Sequence, residues 1–191
     1  MNDYYEVTTA PTGNPVEFTD ASQWARGIST VDTQLTNSLI DTATAQIEKA
    51  TNKVFISRSI SGFFARLRES DFERFDFVEI RRAPVTSVTS VEVNGNVVPT
   101  ADYIIKNTVG YTRILFRNTL DLDEEMAYPI KVNFTAGYGN ASQVPNDIKV
   151  AIQQYVLYLY ENRGDVSTDK EQQFPLVTRQ IIRKNRFANG L

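Results

Sequence analysis

Neither cysteine nor histidine occurs anywhere in the 191 residues. Without cysteine there is no disulfide framework and no thiolate chemistry. Without histidine the Ser-His-Asp triad, the Cys-His dyad, the cysteine–histidine zinc sites and the usual pH switch are all excluded. Catalysis would have to rest on Asp, Glu, Lys, Tyr or Ser. The carboxylate pairs available, Glu69 with Asp71 and Asp71 with Glu73, sit in a polar stretch with no sign of a pocket. No run matches an EF-hand loop, and Gly137-Tyr138-Gly139 lacks the spacing of a phosphate loop and reads as a turn. The chain reads as a non-enzyme with no metal and no cofactor. A basic excess is missing too: the net charge is -3, which argues against a dedicated DNA binder. No apolar run approaches the length of a membrane span, so no membrane partner is expected. The opening Met1-Asn2-Asp3-Tyr4-Tyr5-Glu6 is acidic and lacks the basic and apolar regions of a signal peptide. Synthesis and assembly in a cytoplasm are expected.

What is present is an ordinary globular balance, 41% apolar and 23% charged, in a chain long enough to bury a core without staples. The length fits one domain plus extensions. Residues 1–17 are polar, carry Pro11, Gly13 and Pro15, and read as an extended arm. Thr19 or Asp20 is placed to cap a short helix through Trp24 to Ile28, weakened at Gly27. Leu35, Leu39, Ile40, Ala43, Ile47 and Ala50 then recur at helical spacing, with Asp32 or Thr33 as N-cap and Asn52 where a left-handed C′ residue belongs.

From Val54 the pattern turns to strands. One runs from Val54 through Ile60, Phe63, Phe64 and Leu67, and a second holds Phe75, Phe77, Val78 and Ile80. Pro84 breaks the run. Val85 to Val93 leads into Asn94-Gly95, the clearest hairpin signal in the chain, with Val97 and Val98 on the return. Tyr103 to Ile105 and Ile114 to Phe116 form another pair about Gly110. Leu120 to Glu125 is an acidic loop, and Ile130 to Thr135 alternates as a half-buried strand. A second helix opens at Pro145 and buries Ile148, Ala151, Ile152, Tyr155, Val156 and Leu159, with Arg163-Gly164 closing it. The expected class is α+β: N-terminal helix or helices, a central antiparallel strand block, a long C-terminal helix and an extended C-terminal tail. The expected division is 1–31 as arm with short helix, 32–164 as the main domain and 165–191 as tail.

Four stretches in order carry a resemblance. They are the helix Leu39-Ile40-Asp41-Thr42-Ala43 through Lys53, the segment Arg82-Ala83-Pro84-Val85-Thr86-Ser87-Val88, the strand end Val132-Asn133-Phe134-Thr135-Ala136-Gly137-Tyr138, and the helix Val144-Pro145-Asn146-Asp147-Ile148 through Arg163. Their order and spacing over roughly residues 33–164 resemble the head-tail connector (adaptor, or head-completion) family of tailed phages. Asn52 departs from the glycine common there, and the two chain extensions do not align. The resemblance implies a structural virion protein of the neck, at the head-tail interface. It implies a homo-oligomer, a dodecameric ring under the phage portal protein, that extends the DNA channel and gives a platform to a stopper or tail-side connector protein. Double-stranded DNA would pass through without sequence-specific binding. A stopper or tail-completion protein of the same neck is the alternative, and the two end helices flanking the strand block favour the adaptor. An infectious phage, a prophage or a gene transfer agent would use the same part.

Three surfaces are candidates for that work. The C-terminal segment mixes Arg179, Arg183, Lys184 and Arg186 with Ile181, Ile182 and Phe187. It reads either as a loose tail that orders against acidic and apolar portal pockets or, more plainly, as a short helix packed on its own domain or a tail that contacts nothing. Asp121, Asp123, Glu124 and Glu125 read as a channel-facing ring that repels phosphate or as a solvated loop. On the tyrosine-rich helix, Val150 and Tyr158 are candidates for a subunit interface.

Overall fold

The first long helix shows how this chain starts and stops its elements. In the computed structural model, which describes residues 3–24, 30–69, 75–108, 110–162 and 174–186, helix α2 spans Thr33–Thr51. It buries Thr36, Ile40, Ala43, Thr44, Ile47 and Thr51, the three-and-four spacing of one face. Leu35, expected on that face, is 36% exposed, so the buried row runs one residue off the expected start. Asn52 ends the helix in the left-handed region (φ 56°), and its N–H donates to the Glu48 carbonyl. The Glu48 carboxylate then accepts from the Phe55 N–H at 2.7 Å and fixes the exit.

Two compact units result, each drawn from two stretches of chain. The helical unit takes Thr12–Ile56 and Gly139–Leu191. Its helix α1 (Phe18–Trp24) is tied at its start by Asp20, whose carboxylate accepts from the Glu17 N–H at 3.3 Å. Asp20 therefore reaches back from the first turn and is not itself the cap. Gly27 and Ile28, where the sequence pattern ended this helix, lie outside the described residues. Helix α3 (Asn146–Glu161) follows Pro145 and buries Ile148, Ala151, Ile152, Tyr155 and Val156, while Leu159, expected on the same face, is only half-buried in its last turn. Arg163 and Gly164 lie outside the described residues.

Residues 176–185 correct the sequence expectation of an extended tail. They form helix α4 (Leu176–Asn185), packed in the helical unit with Thr178 and Ile182 buried. The two residues are one helical turn apart, so a helix puts both on one inward face and leaves Arg183 and Lys184 in water, with Arg179 half-buried between. Of the readings the sequence left open for this segment, the packed short helix is the one observed.

The sheet unit takes Met1–Pro11 and Ser57–Tyr138. Its strands are β1 (Tyr4–Val7), β2 (Arg58–Phe64), β3 (Phe77–Ile80), β4 (Val85–Val93), β5 (Asn96–Val97), β6 (Tyr103–Asn107), β7 (Thr112–Phe116) and β8 (Ile130–Ala136). One sheet has the order β1-β2-β8-β4-β5 and the other β3-β7-β6, and every pairing is antiparallel. The expected N-terminal arm is thus partly an edge strand, with Tyr4 opposite Phe63 and Val7 opposite Ile60. Its four residues were too short a run to show a period beside Pro11 and Pro15. Tyr5 keys the strand in. Its ring lies edge-on to Phe64 and Phe134, its hydroxyl accepts from the Arg81 N–H at 3.0 Å, and the Arg82 guanidinium covers it at 4.8 Å. Burial pushes the Tyr5 hydroxyl pKa up, against the pull of Arg81 and Arg82. The Asn94-Gly95 hairpin is observed with φ 51° and 78°, as a type I′ turn requires.

The strand expected from Val54 begins only at Arg58; Val54, Phe55 and Ile56 are buried in the helical unit as irregular chain. On β3 the carboxylate of Glu79 is buried but held from two sides, by Arg81 at 2.8 Å and by its cross-strand neighbour Arg113 at 3.1 Å. Arg113 in turn lies over the rings of Phe77 and Tyr111. This is a charge whose desolvation is offset by paired partners, and it is structural.

Gly139 opens the second stretch of the helical unit at φ 121°, and a Cβ there would strike the Gln143 side-chain amide. That amide accepts from the Asn140 N–H at 3.0 Å and closes a capping box over residues 140–143. Gly139→Ala is therefore expected to cost roughly 2 kcal/mol, through the strained φ and the displaced cap. A urea titration of the variant against the parent measures it.

Candidate assembly surfaces

Among the described residues no group of acidic side chains is arranged to hold a metal ion, and no helix is long and apolar enough to cross a membrane. Glu69 is exposed, while Asp71 and Glu73 lie outside the described residues. The candidate residues fall in three places on the surface.

The first is α4. Pro175 precedes it, and its inner face carries Thr178, which donates to the Ala151 carbonyl at 3.3 Å, and Ile182. Phe174, just before the helix, packs its ring 4.7 Å from that of Tyr155. At the other end Asp147 gathers the helix. It accepts from Asn185 at 3.1 Å and pairs with Lys184 at 3.4 Å, while Asn185 also accepts from Lys53 at 3.1 Å. Burial alone would raise the Asp147 carboxyl. The hydrogen bonds from Asn185, from the Ile148 N–H and from Lys184 outweigh it and hold the group below the usual carboxylate range. Arg183 and Lys184 lie in the last turn, where the helix dipole favours cations.

The expected docking residues of this segment therefore divide. Arg183, Lys184 and Arg186 are exposed, Arg179 and Ile181 are half-buried, and Phe187 lies outside the described residues. Ile182 is a core side chain and is not available to fill a partner's pocket, which corrects its place in the expected set. Sequence reasoning passed over Leu176 and Val177, 63% and 42% exposed at the start of α4. The signal was there: two apolar residues directly after a proline that can only begin the helix.

The second place is the acidic loop. Asp121, Asp123, Glu124 and Glu125 are all exposed, yet the loop is shaped. Asn94, from the hairpin, donates to the Asp121 carbonyl at 2.8 Å and accepts from the Asp123 N–H at 3.0 Å. Asp123 accepts from the Glu125 N–H at 3.0 Å. One asparagine thus serves both as a turn residue and as the anchor of four carboxylates.

The third is the outer side of α3. Val150 and Tyr158 are both half-buried. Tyr158 stacks on Tyr155 with ring centroids 6.3 Å apart, and the Tyr155 hydroxyl donates to Gln46 at 2.5 Å. Burial, with Tyr158 second, raises the Tyr155 pKa. The geometry makes Tyr155 core and leaves part of Tyr158 accessible.

No protein-family model matches the chain, and no curated protein matches it. Solved structures do. A chain from the neck of an empty GTA particle computed with C6 symmetry matches with a TM-score of 0.78 at 21% identity, covering 98% of this chain and 97% of that one. A chain from the virion of a native gene transfer agent (GTA) particle matches at 0.73 and 22%, with the same coverage. One from the neck of a native GTA particle computed with C12 symmetry matches at 0.68 and 19%. The fold is that of a particle-neck component. More particularly, it is the fold of chains in the neck of gene transfer agent particles, matched through both units and over nearly all of each chain.

The Asp147 contacts predict an acid response. A carboxyl held low in the folded state adds stability that is present above its ordinary pKa of about 3.9 and is lost as pH falls through the folded value. Amide protection factors in α4, corrected for intrinsic exchange, are expected to fall in that acid window. In Asp147→Asn the acid step should vanish, because the titrating group is gone.

Proposed function

We propose that this chain is a structural neck protein of a virion or virion-like particle, acting as the head-tail adaptor. The observation that carries the reading is the end-to-end likeness to neck chains, which spans both units, joined to a chain without histidine, cysteine or a metal-binding cluster among its described residues. In this reading it is not an enzyme. Copies form a ring, dodecameric as in the resembling family, beneath a portal protein. The ring extends the DNA channel and presents a platform to a stopper or tail-side connector. The site of action is the virion neck, after assembly in the host cytoplasm.

The surfaces take roles within it. The exposed Arg183 and Lys184 of α4 and Arg186 just after it, with Leu176 and Val177, offer charge and apolar area to the portal, with the half-buried Arg179 and Ile181 beside them and Phe187 as a further member of the expected set. Cationic and apolar groups together suit an interface whose charges steer docking while buried apolar area holds it. The exposed carboxylates at Asp121, Asp123, Glu124 and Glu125 suit a channel wall, because negative walls keep phosphates from sticking. Val150 and Tyr158 suit a contact between subunits.

The test is binding to portal rings from the same source. Arg183→Glu and Arg186→Glu together, with the Asp147–Lys184 pair untouched, should leave the fold intact and weaken portal binding by about tenfold or more, with the loss strongest at low salt. Unchanged affinity would remove α4 from the docking surface. A folded parent chain that ignores portal rings but binds tail-side components would favour the stopper reading.

A further inference from the structure

Four strands end the two sheets; β5 has only two residues and β3 takes a bridge from Arg68 at Phe77, which leaves the outer side of β1 in the five-stranded sheet and the outer side of β6 in the three-stranded one as the longer unbridged sheet ends among the described residues. Among the described residues neither has a proline within the strand, a bulge or a covering strand; what guards them is the shortness of β1 and one charge on each, Glu6 and Lys106. Both carry exposed apolar side chains, Val7 at 51% on β1 and Ile105 at 41% on β6.

The hydrogen-bond parity of each edge can be worked out. The Thr8 N–H donates to the Ser59 carbonyl, so in β1 residues 4, 6 and 8 bond inward and Tyr5 and Val7 turn their backbone groups outward. Next to β7, the Arg117 N–H donates to Asp102 and the Thr108 N–H to Tyr111. Residues 102, 104, 106 and 108 therefore bond inward, and Tyr103, Ile105 and Asn107 face out.

We infer that β1 of one copy pairs antiparallel with β6 of the next, with Val7 opposite Ile105 and Tyr5 opposite Asn107. That register matches outward backbone groups with outward backbone groups, for about four hydrogen bonds. It brings the two exposed apolar side chains together. It also sets Glu6 opposite Lys106, both exposed and of opposite charge, in the closer, non-hydrogen-bonded kind of pair. A parallel arrangement with Glu6 opposite Lys106 would instead set Val7 against Asn107. The two edges differ, so the contact is head-to-tail, the type that builds closed rings or filaments and does not stop at dimers. The inference rests on the ring-forming reading for its setting, but the contact needs only copies of this chain.

The absence of native cysteine makes the test clean. Glu6→Cys and Lys106→Cys chains, of different mass through a tag on one, are mixed at high concentration under mild oxidant. A non-hydrogen-bonded antiparallel pair holds its Cα atoms about 4.5 Å apart, within disulfide reach. The mixed disulfide should form at least about tenfold faster than that between Glu6→Cys and Thr89→Cys, an exposed position on β4 away from both edges. A chain carrying both Glu6→Cys and Lys106→Cys should give a ladder beyond dimer. Charge reversal gives a second measurement: Glu6→Lys or Lys106→Glu alone should weaken self-association, and the two in one chain should restore it. Mixed cross-linking no faster than the Thr89→Cys control would overturn the inference. So would products that are only Glu6→Cys homodimers. Neither result bears on portal binding, so failure here leaves the adaptor reading standing, and failure of the adaptor reading leaves the edge contact measurable.

Discussion

The pairing of β2 with β8 is the constraint on which the rest depends. Arg58 lies opposite Ala136, and just outside the sheet Ile56 bridges to Gly139. The chain leaves the helical unit at Ser57 and returns at Gly139, so this ladder closes a long insertion at one point. The closure lets α2 and α3, separated by the whole sheet unit in sequence, pack as neighbours. Loop closure over such a length costs only slightly more than over a shorter one, and the seven paired positions of β2 and β8 offset it. β8 also carries β4 on its other side, and its buried residues Ile130, Val132, Phe134 and Ala136 alternate with Lys131, Asn133 and Thr135. Asn133 joins the strands on that second face, accepting from Ser61 and donating to Ser90 and Glu92.

Each candidate surface is shaped by a core element. Thr178 and Ile182 seat α4 so that Arg183 and Lys184 face water. Asn94 holds the carboxylate loop. Tyr5 anchors the strand whose free edge is offered to the next copy. The contact groups are few and single, but each hangs from a residue that the fold already needs.

The local signals in the sequence were reliable where period or turn chemistry was strong. The rows of α2 and α3, the Asn94-Gly95 turn and the alternation of β8 all follow from side-chain spacing. Two elements were not legible. β1 has four residues and gains its place from β2, some fifty residues on, through a register that spacing cannot reveal. α4 mixes three cations with four apolar residues that do not all share one face, so it looks like a solvated tail until Thr178 is seen donating into α3. The split into two units was hidden for a related reason: it depends on β2 meeting β8, a contact between distant segments that no local pattern encodes. Of the candidate sites, the exposed carboxylates and most of the α4 cations were legible as charge clusters. Ile182 was not, because burial is decided by which neighbour a helix face meets.

Function as an adaptor is the central claim, and the mass of the complex formed with portal rings tests it most directly. The purified chain is mixed with portal from the same source and bound copies are counted by native mass spectrometry, with images of the particles alongside. The account predicts a collar of copies matching the symmetry of the portal ring. A well-folded chain that leaves the portal mass unchanged would contradict it.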